Sequence, residues 1–139
     1  MQDLLSEGQE PNENELSYIH SNKTAAMIRA SLEMGFKLGK EGFNKKKLEE
    51  ISQVGHSLGL AFQAIDDLLD ITQTTSRLGK DADHDVESGK ITWVSLKGQE
   101  EARRLAESHT KYAHETLLSI GGDNSFLLEL IDYMLNRKF

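Results

Sequence analysis

Apolar residues recur at intervals of three and four through most of this chain, and no convincing strand-like alternation interrupts them. Leu16, Ile19, Ala26, Ile28, Leu32, Met34 and Phe36 predict a helix over about residues 15–40, loosened near Gly35 and Gly39. Residues 45–72 predict a second helix, in which the small residues Gly55 and Gly59 stand four apart and would let a neighbouring helix approach closely. Residues 74–89 read as a charged loop with little periodicity. A short helix over about 91–97 and a surface helix over 99–120 follow, the latter stopped by Gly121-Gly122. Asp123 is the expected N-cap of a last helix ending near Asn136. A single proline, Pro11, leaves long stretches open to helix, and Asp3, Glu7, Glu10, Glu13 and Glu15 make residues 1–15 a helix end or an acidic loop. With no internal repeat and no linker, the expected fold is a single all-α helical bundle over 1–139.

Composition narrows the classes of function. A chain of 139 residues can bury a core as one domain. Mean hydropathy is −0.51, and no run approaches the roughly 18 apolar residues of a membrane span. The N-terminus begins polar and acidic rather than basic and then apolar, so no export signal is expected. Cysteine is absent, which removes disulfides and thiol chemistry and makes the cytoplasm the expected location. A net charge of −7 argues against nucleic acid as a partner. Phosphorylated substrates stay open, because local charge matters more than the sum.

The candidate chemistry centres on Asp66-Asp67-Leu68-Leu69-Asp70, set in a helix-patterned apolar stretch. On a helix Asp66 and Asp70 share a face, about 6 Å apart along the axis, with Gln63 on the same stripe. Three carboxylates so close repel one another and resist desolvation unless a cation sits among them. Oxygen ligands of this kind suit Mg²⁺, which takes one or two carboxylates together with substrate phosphates. A solvated acidic patch is the plainer alternative. Lys23, inside a helical pattern, could hold a phosphate as a point charge or could be a solvated surface lysine. His20 beside it reads as a helix-surface residue without a role. Gln63 could hydrogen-bond a ligand without adding charge. Downstream, Gly79-Lys80 and Gly89-Lys90 place two lysines ten residues apart in the charged loop. Asp81, Asp83 and Asp85 alternate as in a calcium loop, but Val86 and Thr92 stand where such a loop needs glycine and a bidentate glutamate, so calcium is discounted.

Taken together, these segments resemble the trans-polyprenyl diphosphate synthases, the family of farnesyl and geranylgeranyl diphosphate synthases. Phe62 to Asp70 is similar to that family's second aspartate-rich motif, and Lys23-Thr24-Ala25 to its lysine–threonine motif. Leu78-Gly79-Lys80, Asp85, Gly89-Lys90 and Thr92 resemble the lysine-bearing loop that follows. Two departures stand in that loop region: Asp83 where the family has glycine, and Trp93-Val94 where it has an aromatic residue and then proline. The resemblance covers nearly the whole chain but about half of a family member. The first aspartate-rich motif is not in this sequence, so the chain is expected to be a C-terminal half.

The resemblance implies a Mg²⁺-dependent transferase that condenses isopentenyl diphosphate head to tail with an allylic diphosphate. Asp66 and Asp70, with Asp67 contributing, would ligate Mg²⁺. Lys23 and Lys80 would contact the allylic diphosphate, and Lys90 would bind ligand or shape its loop. Thr24 and Gln63 would stabilise the allylic cation through their oxygen dipoles. The chain alone is expected to bind Mg²⁺–diphosphate weakly, to be inactive in elongation, and to associate with itself or with an N-terminal half. The rival expectation is a non-catalytic or regulatory half-domain pairing with a synthase chain. A cyclase or head-to-head condensing enzyme is a third reading, opposed by Lys23-Thr24 and Gly79-Lys80.

Overall fold

The computed structural model describes residues 13–39, 44–77 and 92–136, and among them every regular element is helical. The helices are α1 (Glu13–Asn22), α2 (Thr24–Leu38), α3 (Lys45–Arg77), α4 (Trp93–Lys97), α5 (Gln99–Ile120) and α6 (Ser125–Leu135). The all-α expectation is met. Among the described residues no helix is long and apolar enough to cross a membrane.

Helix α3 is the axis of the bundle. Its buried residues Ile51, Val54, Leu58, Ala61, Ile65, Leu68 and Leu69 recur at helical spacing and carry an apolar stripe along most of its length. Helix α5 answers with Ala102, Ala106, Ala113, Leu117 and Ile120. Ala102 and Ala106 pack with Leu16, Ile65, Leu68 and Trp93 near the aspartates; Ala113, Leu117 and Ile120 pack with Ile51, Val54, Leu58 and Ile131 at the other end.

The predicted 15–40 helix is in fact two helices. The break falls not at Gly35 or Gly39 but at Lys23, where φ is −101° and ψ is −96°. Gly35 lies inside α2 and Gly39 is its C-cap. Before the break Asn22 donates its side-chain amide to the Tyr18 carbonyl at 2.8 Å. Such a local bond gives the chain an alternative to helical pairing.

The second predicted helix runs on to Arg77. The polar, β-branched Thr74 and Thr75 read as the start of the loop, yet extending an existing helix costs far less than nucleating one. The predicted 99–120 helix is observed with the same bounds, and Gly121 and Gly122 turn the chain at φ of 76° and 87°.

The last helix starts one residue later than its expected cap implied. Asn124, not Asp123, holds the N-cap position. Asp123 still ties the turn, its Oδ1 accepting from the Ser125 amide at 3.2 Å and hydroxyl at 2.6 Å. Asn124 faces backwards, donating to the Leu117 and Gly121 carbonyls at 2.8 and 3.0 Å. The expectations for residues 1–12, for residues 78–89 of the charged loop and for residue 91 as the start of the short helix lie outside the described residues.

Candidate active site

The expected site residues on the described helices come together where α2 starts beside α3. Thr24, the first residue of α2, donates its hydroxyl to Gln63 Oε1 at 3.1 Å in a half-buried position. Two glycines of α3 make this approach possible. A Cβ on Gly59 would lie 2.2 Å from the Ala25 Cα, and one on Gly55 would lie 2.5 Å from the Arg29 Cα. The two helices therefore cross backbone on backbone, as the glycine spacing predicted.

Lys23 stands at the break between α1 and α2 and is exposed. The hydrogen-bond ladder passes through it: its amide donates to the Ile19 carbonyl at 3.0 Å, and its carbonyl accepts from the Met27 amide at 3.4 Å. No side chain caps the start of α2.

The aspartates divide rather than act as a trio. Gln63, Asp66 and Asp70 occupy one stripe of α3, with Gln63 and Asp66 half-buried and Asp70 exposed. Asp67 is turned inward and is 3% exposed. Its Oδ2 accepts the backbone N–H of Trp93, the first residue of α4, at 2.8 Å. Helix α4 is otherwise held at its start by a reciprocal cap. Thr92 Oγ1 accepts from the Ser95 amide at 3.1 Å, and the Thr92 amide donates to Ser95 Oγ at 2.9 Å.

His20, expected on the surface, is buried instead, with its ring edge-on to Trp93 at 5.9 Å between centroids. Lys97 Nζ lies 5.8 Å from the centre of the same indole ring and pairs with Glu13. Reading the sequence missed this layer. A signal was present: the single tryptophan stands inside a Thr-x-x-Ser cap pattern, directly after its threonine, and His20 stands four residues after the buried Leu16. Lys80 and Lys90, with Asp81, Asp83 and Asp85, lie outside the described residues.

Among the described residues no three His, Cys, Asp or Glu side chains converge into a metal cage. The donor set on the outer stripe of α3 is two carboxylates and an amide, all oxygen donors on one face. That set fits Mg²⁺, which keeps waters and shares its coordination with phosphate oxygens rather than needing an all-protein cage.

Comparison with known proteins places the chain in a family. The family model for polyprenyl synthetase matches residues 1–118. Geranylgeranyl pyrophosphate synthase 11, chloroplastic, of Arabidopsis thaliana is 37% identical over 139 residues, covering 97% of this chain and 38% of that protein. Geranylfarnesyl diphosphate synthase, chloroplastic, of Leucosceptrum canum is 38% identical over 88% of this chain and 34% of its own length. The crystal structure of Helicobacter pylori geranyltransferase complexed with magnesium and isoprenyl diphosphate superposes with a TM-score of 0.71 at 30% identity, over 96% of this chain and 43% of that one. The chain thus spans well under half the length of these relatives. The plastid location in two of their names differs from the cytoplasm expected from composition. A matched family model over most of the chain, and helices laid out as in a solved prenyl synthase, make this chain a member of the polyprenyl synthetase family and, by family, a transferase.

Proposed function

We propose that this chain supplies the diphosphate-ionising wall of a Mg²⁺-dependent prenyl diphosphate synthase, which joins isopentenyl diphosphate head to tail to an allylic diphosphate. The observation that carries the reading is the Thr24–Gln63 hydrogen bond, set on the same stripe of α3 as Asp66 and Asp70. Asp66 and Asp70 would hold Mg²⁺, and the metal supplies Lewis-acid pull on the leaving diphosphate. Lys23 adds positive charge at the mouth of α2, and Lys80 is assigned to the same diphosphate. Lys90 binds ligand or shapes the lysine-bearing loop. Thr24 donates its hydroxyl hydrogen bond to Gln63, which leaves the lone pairs of the Thr24 oxygen available to face a developing allylic cation.

A second reading has support of its own. Met27, Met34 and Leu38 form one exposed apolar stripe on α2, and Phe126, Leu130 and Tyr133 form another on α6. Patches of this kind favour association. A half-domain that pairs with a synthase chain, or with a second copy, would cover them. In this reading the chain alone binds Mg²⁺–diphosphate weakly and does not elongate, because one carboxylate helix neither encloses the diphosphate nor shields a carbocation from water.

An elongation assay separates the two. The pure chain is incubated with Mg²⁺, labelled isopentenyl diphosphate and geranyl diphosphate, alone and with the N-terminal portion of a family member. Product only in the mixture supports a contributing half. Robust turnover by the 139-residue chain alone would show that it assembles a complete site. No product in either mixture, with no metal-dependent diphosphate binding, would overturn the proposal.

A further inference from the structure

We infer that Asp67 is a positioning residue rather than a third metal ligand: its carboxylate fastens the start of α4 to the helix that carries Asp66 and Asp70. The inference rests on the Mg²⁺–diphosphate reading for the roles of those two neighbours.

A carboxylate with 3% exposure is costly unless hydrogen-bonded. Asp67 accepts the Trp93 N–H at 2.8 Å, and that N–H is one of the amide groups a helix start leaves without an intrahelical acceptor. The bond is buried, out of competition with water, so it is stronger than the same bond at the surface. Trp93 is itself 5% exposed, and its ring meets His20 of α1 edge-on. His20 lies three residues before Lys23, where α1 breaks into α2.

One continuous layer therefore runs from Asp67 on α3, through Trp93 on α4, to His20 on α1. It joins the helix with the outward aspartates to the segment that presents Lys23. Adjacent aspartates take opposite duties because successive helix residues point about 100° apart. Asp66 turns to the outer stripe and Asp67 to the core.

The test compares Asp67→Asn and Asp67→Ala with Asp66→Asn and Asp70→Asn in the 139-residue chain. Magnesium with inorganic pyrophosphate is the probe, titrated by calorimetry, and amide hydrogen exchange at Trp93 is followed by NMR. An asparagine oxygen still accepts the Trp93 N–H but lacks the charge a hard cation wants. Asp67→Asn should keep Trp93 protected and leave affinity within about threefold, while Asp66→Asn and Asp70→Asn lose about tenfold or more. Asp67→Ala should lose protection at Trp93, with the single tryptophan's emission shifting as its surroundings open.

If Asp67→Asn lowers affinity as far as Asp70→Asn while Trp93 stays protected, Asp67 is a ligand and the inference falls. If the unsubstituted chain binds no Mg²⁺–pyrophosphate, the functional reading above fails and the exchange data decide alone. Protection kept by asparagine and lost by alanine then upholds the tie, and equal protection in both overturns it.

Discussion

Gly59 and Ala25 touch through their backbones: a Cβ on the glycine would lie 2.2 Å from the Ala25 Cα and 2.8 Å from its amide nitrogen. No side chain can rotate away from that clash, so α2 and α3 must separate to admit one. Gly59→Ala gains about 1 kcal/mol of helix propensity. The overpacking costs about 1–3 kcal/mol or more, so the net change is expected to be a loss. Urea unfolding should show a lower midpoint. Gly35→Ala is the control, since a Cβ there meets nothing within 4 Å, and it should stabilise by about 0.5–1 kcal/mol.

Thr24→Val keeps the shape of the side chain and deletes the hydroxyl that reaches Gln63. The expected stability loss is about 1 kcal/mol, the worth of a half-buried hydrogen bond with its acceptor left behind. In an assembly that turns over, the elongation rate should fall by about tenfold or more with Mg²⁺–diphosphate affinity kept, as for loss of an electrostatic stabiliser. Thr24→Ser should restore both. Rates equal to wild type for Thr24→Val would remove Thr24 from the chemistry.

Asp70→Ala should abolish Mg²⁺-dependent pyrophosphate binding while leaving the fold intact, because Asp70 is exposed on the outer stripe of α3. Calorimetric titration with and without Mg²⁺ checks this, with circular dichroism as the control for folding. Binding that survives in Asp70→Ala and again in Asp66→Ala would mean that the aspartates are a solvated acidic patch.

Stability should depend on pH through His109. Its pKa lies below the ordinary 6.5, first because half-burial disfavours the charged ring and second because of the neighbouring charge of His56. The unfolded chain therefore takes up this proton at a higher pH than the folded chain. The contribution is full above about pH 6.5 and is lost as pH falls toward the folded value. His109→Gln should flatten that acid limb in urea titrations between about pH 7 and 5. An unchanged slope would mean that other groups set it.

The exposed stripe of α2 should drive association. Met27 is 72% exposed and Leu38 is 85% exposed. A Met34→Glu, Leu38→Glu double variant should lower the mass seen by light scattering at tens of micromolar protein. If the unsubstituted chain is already a monodisperse monomer, the stripe has no partner in a second copy.

The parts legible in the sequence were those fixed by local chemistry. Helical periodicity, the Gly121-Gly122 stop and the 99–120 helix need only near neighbours to be right. The Gly55–Gly59 spacing announced a close crossing, and the contact with Ala25 and Arg29 is that crossing. The aspartates and the Lys23-Thr24 pair were visible as types at helical spacing.

The direction in which each side chain points was not visible. Asp66 and Asp67 are adjacent and chemically identical, and it is Asp67 that turns inward, onto the Trp93 N–H. His20 looked like a surface residue for the same reason, since its burial depends on a tryptophan 73 positions away (93 − 20). The break at Lys23 carries neither proline nor glycine to announce it.

Helix α3 packs on all five of the other described helices, so Gln63, Asp66 and Asp70 share one rod about 50 Å long with the residues that hold the fold together. Many proteins hang reactive groups on loops that open while the scaffold stays shut. This arrangement forbids that economy. Exposing the Asp66 turn means peeling α3 from its neighbours, so amide exchange there should approach the slowness of global unfolding. Any change that loosens the rod loosens grip and fold together, and directed evolution of this chain will find the two hard to alter separately.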